Sequence, residues 1–153
     1  MSITQQAALT AIATLIASAG AWAQTPACTN AEANRQLVIH FYDQFFNQHQ
    51  TEAAAKTVSA DYKQHNPQVP DGKAPFVAYF TDFFKKNPQA SSRIVRSAVD
   101  CDLVWLHNQS RSGPDDRGRA IVNIFRVKDG QIVEHWDVIQ PVPEHAANDN
   151  TMF

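Results

Sequence analysis

The chain has 153 residues, enough for one domain with a real core once any processed leader is removed. Its formal net charge is -2, and Arg93, Arg96, Arg111, Arg117 and Arg119 are scattered rather than striped, which argues against nucleic acid as a partner. Nine Phe, three Trp and three Tyr fall in helical and strand patterns, which excludes a disordered chain and points to a packed core or an apolar pocket.

The first stretch in chain order is a leader. Residues 7–23 form an apolar run ending in Ala21-Trp22-Ala23, a small-x-small cleavage signature. It predicts a signal peptide over 1–23, although the segment before the run has no Lys or Arg. The run is short of the ~20 apolar residues of a membrane span, and Thr25-Pro26-Ala27 ahead of Cys28 lacks the aliphatic residue of a lipidation site. The expected location is therefore periplasmic or secreted, with no membrane attachment after cleavage. The expected domain runs over 24–144, with a tail over 145–153. Export would leave Cys28 and Cys101 as an even pair in an oxidising compartment. A disulfide pinning the N-terminal segment to the sheet and two unlinked thiols are both open, with the bridge slightly ahead.

Thr29 and Glu32 have the spacing of a capping box. Val38, Phe41, Tyr42, Phe45, Phe46 and His49 then recur at helical spacing and predict a first helix of about 18 residues with one broad apolar stripe. The Ala-rich stretch 51–59 predicts a short second helix capped by Thr51 and stopped by Asn66-Pro67. Asp71 is expected to cap a third helix, with Pro75 in its first turn and Phe76, Val77, Phe80, Phe83 and Phe84 facing inward. Two strands follow at 93–99 and 103–110, separated by Asp100-Cys101-Asp102. The last strong stretch, 119–141, is a hairpin about Lys128-Asp129-Gly130, where Asp-Gly is the strongest short-range hairpin signal. The order predicts an α+β domain, three helices packed on one antiparallel sheet of about four strands.

Two polar stretches interrupt this apolar pattern, residues 62–67 (Tyr-Lys-Gln-His-Asn-Pro) and residues 134–137 (Glu-His-Trp-Asp) within the last strand. Charged residues are rarely placed in such strands unless paired or employed. A shared pocket accounts for both stretches; a strand with one face in water accounts for the second alone. Glu134, Trp136, Val138 and Gln140 share one face by alternation, and Val133, His135, Asp137 and Ile139 the other. Both faces mix apolar with polar residues, so alternation does not decide which looks inward. If Asp137 faces out, Glu134 and Trp136 become the inward pair.

Residues 62–67, Asp71-Gly72-Lys73, residues 123–126 (Asn-Ile-Phe-Arg) and residues 130–144 (GQIVEHWDVIQPVPE) together resemble the SnoaL-like branch of the nuclear transport factor two superfamily. They look most like its predicted aldol-condensation-catalysing subgroup, and the match covers about residues 30–144. The resemblance implies a cone-shaped, barrel-like α+β fold with a cavity, and frequent dimers. Relatives include polyketide cyclases, ketosteroid isomerase-like enzymes, dehydratases and non-enzymatic binding modules, so it leaves the chemistry open. The chain departs from the family pattern twice. Gln140 stands four residues after Trp136 where many relatives have Asp, and Asn123 stands where relatives often carry Asp.

Ring-closing aldol chemistry needs a base beside a carbonyl and donors for the enolate oxygen, and a desolvated carboxylate or a His serves as base. The candidates are His65 and Asp137 as catalytic residues sharing one pocket. Tyr42, Phe80 and Trp136 are candidate walls, with Tyr62, Asn66 and His107 as orienting donors. His107, His135 and Glu134 stand behind them as alternative bases. His135-x-Asp137 with His65 or His107 has the ligand types of a two-His-one-carboxylate iron site, but the one downstream His is His145 in the tail, and neither metal nor cofactor is expected. Two functions remain: cofactor-free aldol, cyclase or isomerase-type proton transfer on a small, largely apolar carbonyl compound, or a non-catalytic periplasmic binding module with the same cavity. A homodimer through the outer sheet face is expected, because both faces of the last strand carry bulky apolar residues.

Overall fold

A computed structural model describes residues 28–153; the predicted leader lies outside the described residues. Helix α1 (Ala31–Phe46) is followed by a one-turn helix α2 (Thr51–Ala54), a 3-10 turn (Ala55–Thr57) and strand β1 (Val58–Gln64). Helix α3 (Lys73–Lys86) then leads into β2 (Ser91–Asp100), β3 (Leu103–Arg111), β4 (Arg119–Lys128) and β5 (Gln131–Pro141). The five strands form one open sheet in the order β1-β5-β4-β3-β2. The meander from β2 to β5 is antiparallel, and β1 pairs in parallel with β5 at the edge.

Strand β1 corrects the expected count of about four strands, and its parallel pairing corrects the expectation of a purely antiparallel sheet. Only Val58 and Tyr62 of its seven residues are buried. An edge strand with one apolar residue every few positions carries too weak an alternation to outweigh the helical propensity of the preceding alanines. The capping boxes are also absent. Asn30, without a side-chain cap bond, starts α1, while Glu32 binds Arg35 and Gln36 instead. Thr51 is itself helical and bonds Thr81 on α3, and Asp71 accepts the Gln64 backbone N–H.

The stripe on α1 behaves as its spacing predicts, with Val38, Phe41, Tyr42 and Phe45 all at most 2% exposed. Phe45 stacks on Phe76 of α3, with ring centroids 4.6 Å apart, and Phe41 meets Phe125 of β4 edge-on at 6.0 Å. This aromatic layer holds both helices on the concave face of the sheet. Cys28 and Cys101 are bridged, and beside the bridge Asn34 donates to the Cys101 carbonyl while Arg35 reaches Ser97. The start of α1 is thereby tied to the β2–β3 turn. At the other hairpin, Asp129 and Gly130 both take positive φ (51° and 73°), the backbone a two-residue turn between twisted strands requires.

One irregularity decides which way β5 faces. The turn pairs Lys128 with Gln131 and Val127 with Ile132, but the next pair is Arg126 with Glu134. Val133 is thus an extra residue, a β-bulge that returns Ile132 and His135 to the same face. Beyond the bulge His135, Asp137 and Ile139 face the helices, while Glu134, Trp136 and Val138 face away. Among the described residues, no helix is long and apolar enough to cross a membrane.

Candidate functional site

Between α1, α3 and the concave sheet face lies a cavity of about 220 Å³. Its helical wall is aromatic, formed by Tyr42 and Phe46 of α1 and Phe76, Phe80 and Phe84 of α3. Its sheet wall is polar. Gln64 and Asn66 enter from β1 and the segment after it, and Asn123, His135 and Asp137 from β4 and β5. The division follows from the elements: a helical stripe presents whole turns of Phe, whereas the inward positions of β4 and β5 set Asn123 opposite Asp137, with His135 one rung further along opposite Phe125.

Among the described residues, Asp137 is the acidic side chain that lines the cavity. Its Oδ2 accepts a 2.7 Å hydrogen bond from Asn66 Nδ2. Burial raises its pKa above the ordinary carboxylate value, against the lowering effect of the Asn66 bond. His135 is 7% exposed and is pushed down to about 3, chiefly by burial. It is therefore neutral, with Nδ1 2.8 Å from Gln64 Oε1 and Nε2 3.0 Å from Asn123 Oδ1. A neutral ring has one proton to donate, so one of these amides must present nitrogen to it. Turning the Asn123 and Asn108 side chains about their Cβ–Cγ bonds satisfies the ring and lets Asn108 Nδ2, now without a partner, donate to Asn123.

Two tyrosines complete the polar set. Tyr42 Oη lies 2.9 Å from Ser92 Oγ, and burial pushes its pKa up to about 12. The Tyr62 hydroxyl is buried with no hydrogen bond of good geometry; burial, with Asp137 adding to it, raises its pKa further still, against the lowering effect of a contact with Gln64. A buried donor without a well-formed hydrogen bond costs free energy in the empty protein. An acceptor on a bound molecule would relieve that cost.

Of the residues singled out from sequence, the structure brings Tyr42, Tyr62, Asn66, Phe80 and Asp137 to this cavity. Three others lie elsewhere. Because Tyr62, Gln64 and Asn66 alternate inward, His65 points to the opposite face and does not share a pocket with Asp137. Its Nε2 is 2.8 Å from Glu134 Oε1, and its ring stacks on Trp136 at 4.5 Å. Trp136 is turned outward by the same alternation, under the Arg126 guanidinium at 5.6 Å. His107, on the outward face of β3, meets Arg96 Nη1 at 2.7 Å, and burial followed by that cation lowers its pKa. Arg126 also bonds Asp102 and Glu134. Burial alone would raise Glu134, but the bonds from His65 and Arg126 hold it below its usual value.

Gln64, Asn123 and the rim residues Arg111 and Arg119 were not anticipated. Reading 62–66 as a strand would have flagged Gln64 through its alternation with Tyr62 and Asn66. Asn123 was marked only as a departure from the family pattern, and an unbroken ladder from the Asp129-Gly130 turn would set it opposite Trp136 rather than Asp137. Among the described residues, no group of three His, Cys, Asp or Glu side chains converges in a way that could hold a metal ion.

The helices cradling an open, strongly curved sheet define an NTF2-like α+β fold. The SnoaL-like domain family matches residues 38–135, and the chain belongs to that family. Among solved structures, a protein from Kribbella flavida DSM 17836 provisionally named a ketosteroid isomerase aligns with a TM-score of 0.65 at 19% identity, covering 80% of this chain and 88% of its own. A SnoaL-like protein of unknown function from Burkholderia thailandensis E264 gives 0.62 at 16% identity, with 71% and 96% covered. A protein from Jannaschia sp. CCS1 provisionally named a SnoaL-like polyketide cyclase gives 0.61 at 16%, with 72% and 88% covered. At these identities the likeness is one of fold. No curated protein matches the chain.

Proposed function

We propose that the cavity binds a small, largely apolar carbonyl compound and that Asp137 removes a proton from the carbon beside the carbonyl, in isomerase, cyclase or aldol-type chemistry without a cofactor. One juxtaposition carries this reading: a carboxylate with a raised pKa and a buried tyrosine hydroxyl that makes no well-formed hydrogen bond line the same cavity. Asp137 takes the proton, the C–H electron pair moves toward the carbonyl oxygen, and the Tyr62 hydroxyl donates a hydrogen bond to the enolate. Return of the proton to another carbon gives isomerisation, whereas attack of the enolate carbon on a second carbonyl gives an aldol product. A base whose pKa is lifted toward ambient pH suits this step, and donors preorganised in a dry site favour the developing charge. Asn66 fixes the carboxylate, so Asn66 acts as a positioning residue. The names of two fold neighbours, ketosteroid isomerase and polyketide cyclase, fall in the same chemistry. A cavity of 220 Å³ is below the ~300–1,000 Å³ of drug-sized ligand sites, which favours a compact ligand.

The test is solvent deuterium exchange at the α-carbons of a panel of small ketones, followed by NMR. The expected outcome is catalysed exchange by the wild-type chain and a loss of ~100-fold or more in Asp137→Asn, with ketone binding retained. Binding without any exchange above the buffer rate would instead support a non-catalytic binding module.

Export and self-association belong to the same proposal. The leader pattern supports cleavage after Ala23, and the intact mass of the exported protein should lack the first 23 residues. Val122 and Val138 are 39% and 68% exposed on the outward sheet face, beside Trp105, Ile124 and Trp136, which supports a homodimer through that face. A monomeric mass in light scattering at micromolar concentration would remove the dimer.

A further inference from the structure

The rim of the cavity differs in charge from its interior. Among the described residues, Arg111, at the end of β3, and Arg119, at the start of β4, are the cationic side chains that line it, and both are exposed. Among the described residues neither enters an ion pair or a side-chain hydrogen bond. The acid best placed to neutralise them is already occupied: Asp116 accepts from the Ser112 N–H, the Ser112 hydroxyl and the Gly118 N–H, each at 2.8 Å. Those bonds hold its pKa at about 2, and Arg119 influences it only from beyond ion-pair distance. Gly118, at φ +87°, lets this turn press against the end of β3; a Cβ there would stand 2.9 Å from Arg111 Cγ and 2.5 Å from the Ser110 carbonyl. The turn therefore spends its own acid internally and leaves both arginines without a carboxylate partner.

Depth is read from the rungs. Arg119, Ile121 and Asn123 share the inward face of β4, and Asn123 sits opposite Asp137. Four residues of strand separate the arginine rung from the Asp137 rung, about 13 Å between α-carbons. The Arg119 side chain shortens that span toward the length of a compact molecule with an anion at one end and a carbonyl at the other.

We infer that the ligand of this cavity is a carbonyl compound bearing a carboxylate, with its anion held at the rim by Arg111 and Arg119 and its carbonyl end directed inward to Asp137 and Tyr62. The inference rests on the proposed carbonyl-binding role and adds the charge of the substrate. Planar guanidinium groups pair with carboxylates through two parallel hydrogen bonds, which gives orientation as well as affinity. Arranged this way, the acid fixes the direction of entry while the aromatic wall contacts the apolar body.

The test uses 4-oxo-4-phenylbutanoate, its methyl ester and butyrophenone, titrated calorimetrically against the full mature chain. The acid is expected to bind about tenfold more tightly than the ester, the difference attributable to a charge-assisted pair. Arg111→Gln combined with Arg119→Gln should bring the acid down to the affinity of the ester while leaving the ester and the unliganded Tm unchanged. Added salt should erode the preference for the acid only. Equal binding of acid and ester by the wild-type chain, or a preference that survives in the double variant, overturns the inference and leaves the carbonyl-binding reading in place. Saturable binding of none of the three overturns both.

Discussion

Desolvation disfavours the charged form of Asp137, so the folded chain keeps its proton to a higher pH than the unfolded chain does. The stabilising contribution is full below the unfolded carboxylate value near 3.9 and is lost as pH rises through the raised folded value. At neutral pH the ionised group is therefore a net cost, and Asp137→Asn should raise Tm at pH 7 with the gain disappearing at pH 3. A gain that is independent of pH would show that packing rather than ionisation is responsible. His135 has the opposite sign. Its folded pKa is depressed to about 3 from about 6.5 in the unfolded chain, so stability is full above ~6.5 and drains away as pH falls toward 3. At pH 5 the loss is about 2 kcal/mol by this linkage. Denaturant unfolding of wild type and His135→Gln at pH 8 and pH 5 should show the acid loss in the first and a smaller one in the second. Residue type singled out Asp137 as a polar residue in the last strand and Asn66 in the polar stretch that stops the second helix, and both line the cavity. Type alone could not show that His65, His107 and Trp136 belong to the outer face.

That placement is set by whole elements. Alternation along 62–66 sends His65 outward once β1 is recognised, and the extra residue at Val133 brings Asn123 opposite Asp137 rather than Trp136. Neither the sparse edge strand nor the bulge leaves a mark in hydrophobic periodicity, so the helices and the hairpin were legible while the facing of the site was not. The corrected position of His65 has a measurable consequence. Its contacts are a partly exposed pair with Glu134 and a ring stacked on Trp136. His65→Ala should cost ~0.5–1.5 kcal/mol, the scale of an exposed pair with an aromatic contact, and leave ketone binding in the cavity unaltered. Loss of binding in a folded His65→Ala chain would return this residue to the site.

For the molecule as a whole, the crosslink between Cys28 and Cys101 joins the segment ahead of α1 to the β2–β3 turn across a sequence separation of 73. Closing a loop of that length contributes up to about 4 kcal/mol through the unfolded chain. Cys28→Ser with Cys101→Ser should lower the denaturation midpoint without changing ligand selectivity, because the crosslink lies outside the residues that line the cavity. An unchanged midpoint would mean that contacts of α1 with the turn, such as Asn34 to the Cys101 carbonyl, already hold this end. The broad architecture could be read from the order of periodic segments, whereas the even number of cysteines left the bridge open and only slightly favoured it. The edge partner of β5 could not be read, since it lies far away in the chain.

That distant partnership also has a consequence in time. Strands β2 to β5 pair with their chain neighbours, whereas β1 must find β5, and Asn66 must find Asp137 across 71 residues. Contacts between near neighbours form early, and those closing long loops come late. The polar wall of the cavity should therefore assemble after the rate-limiting step of folding. Asn66→Ala is expected to accelerate unfolding while leaving the refolding rate nearly unchanged, a φ-value near zero in stopped-flow measurements. By the same reasoning, a ligand that needs the finished cavity should lengthen the lifetime of the native chain without hastening its formation.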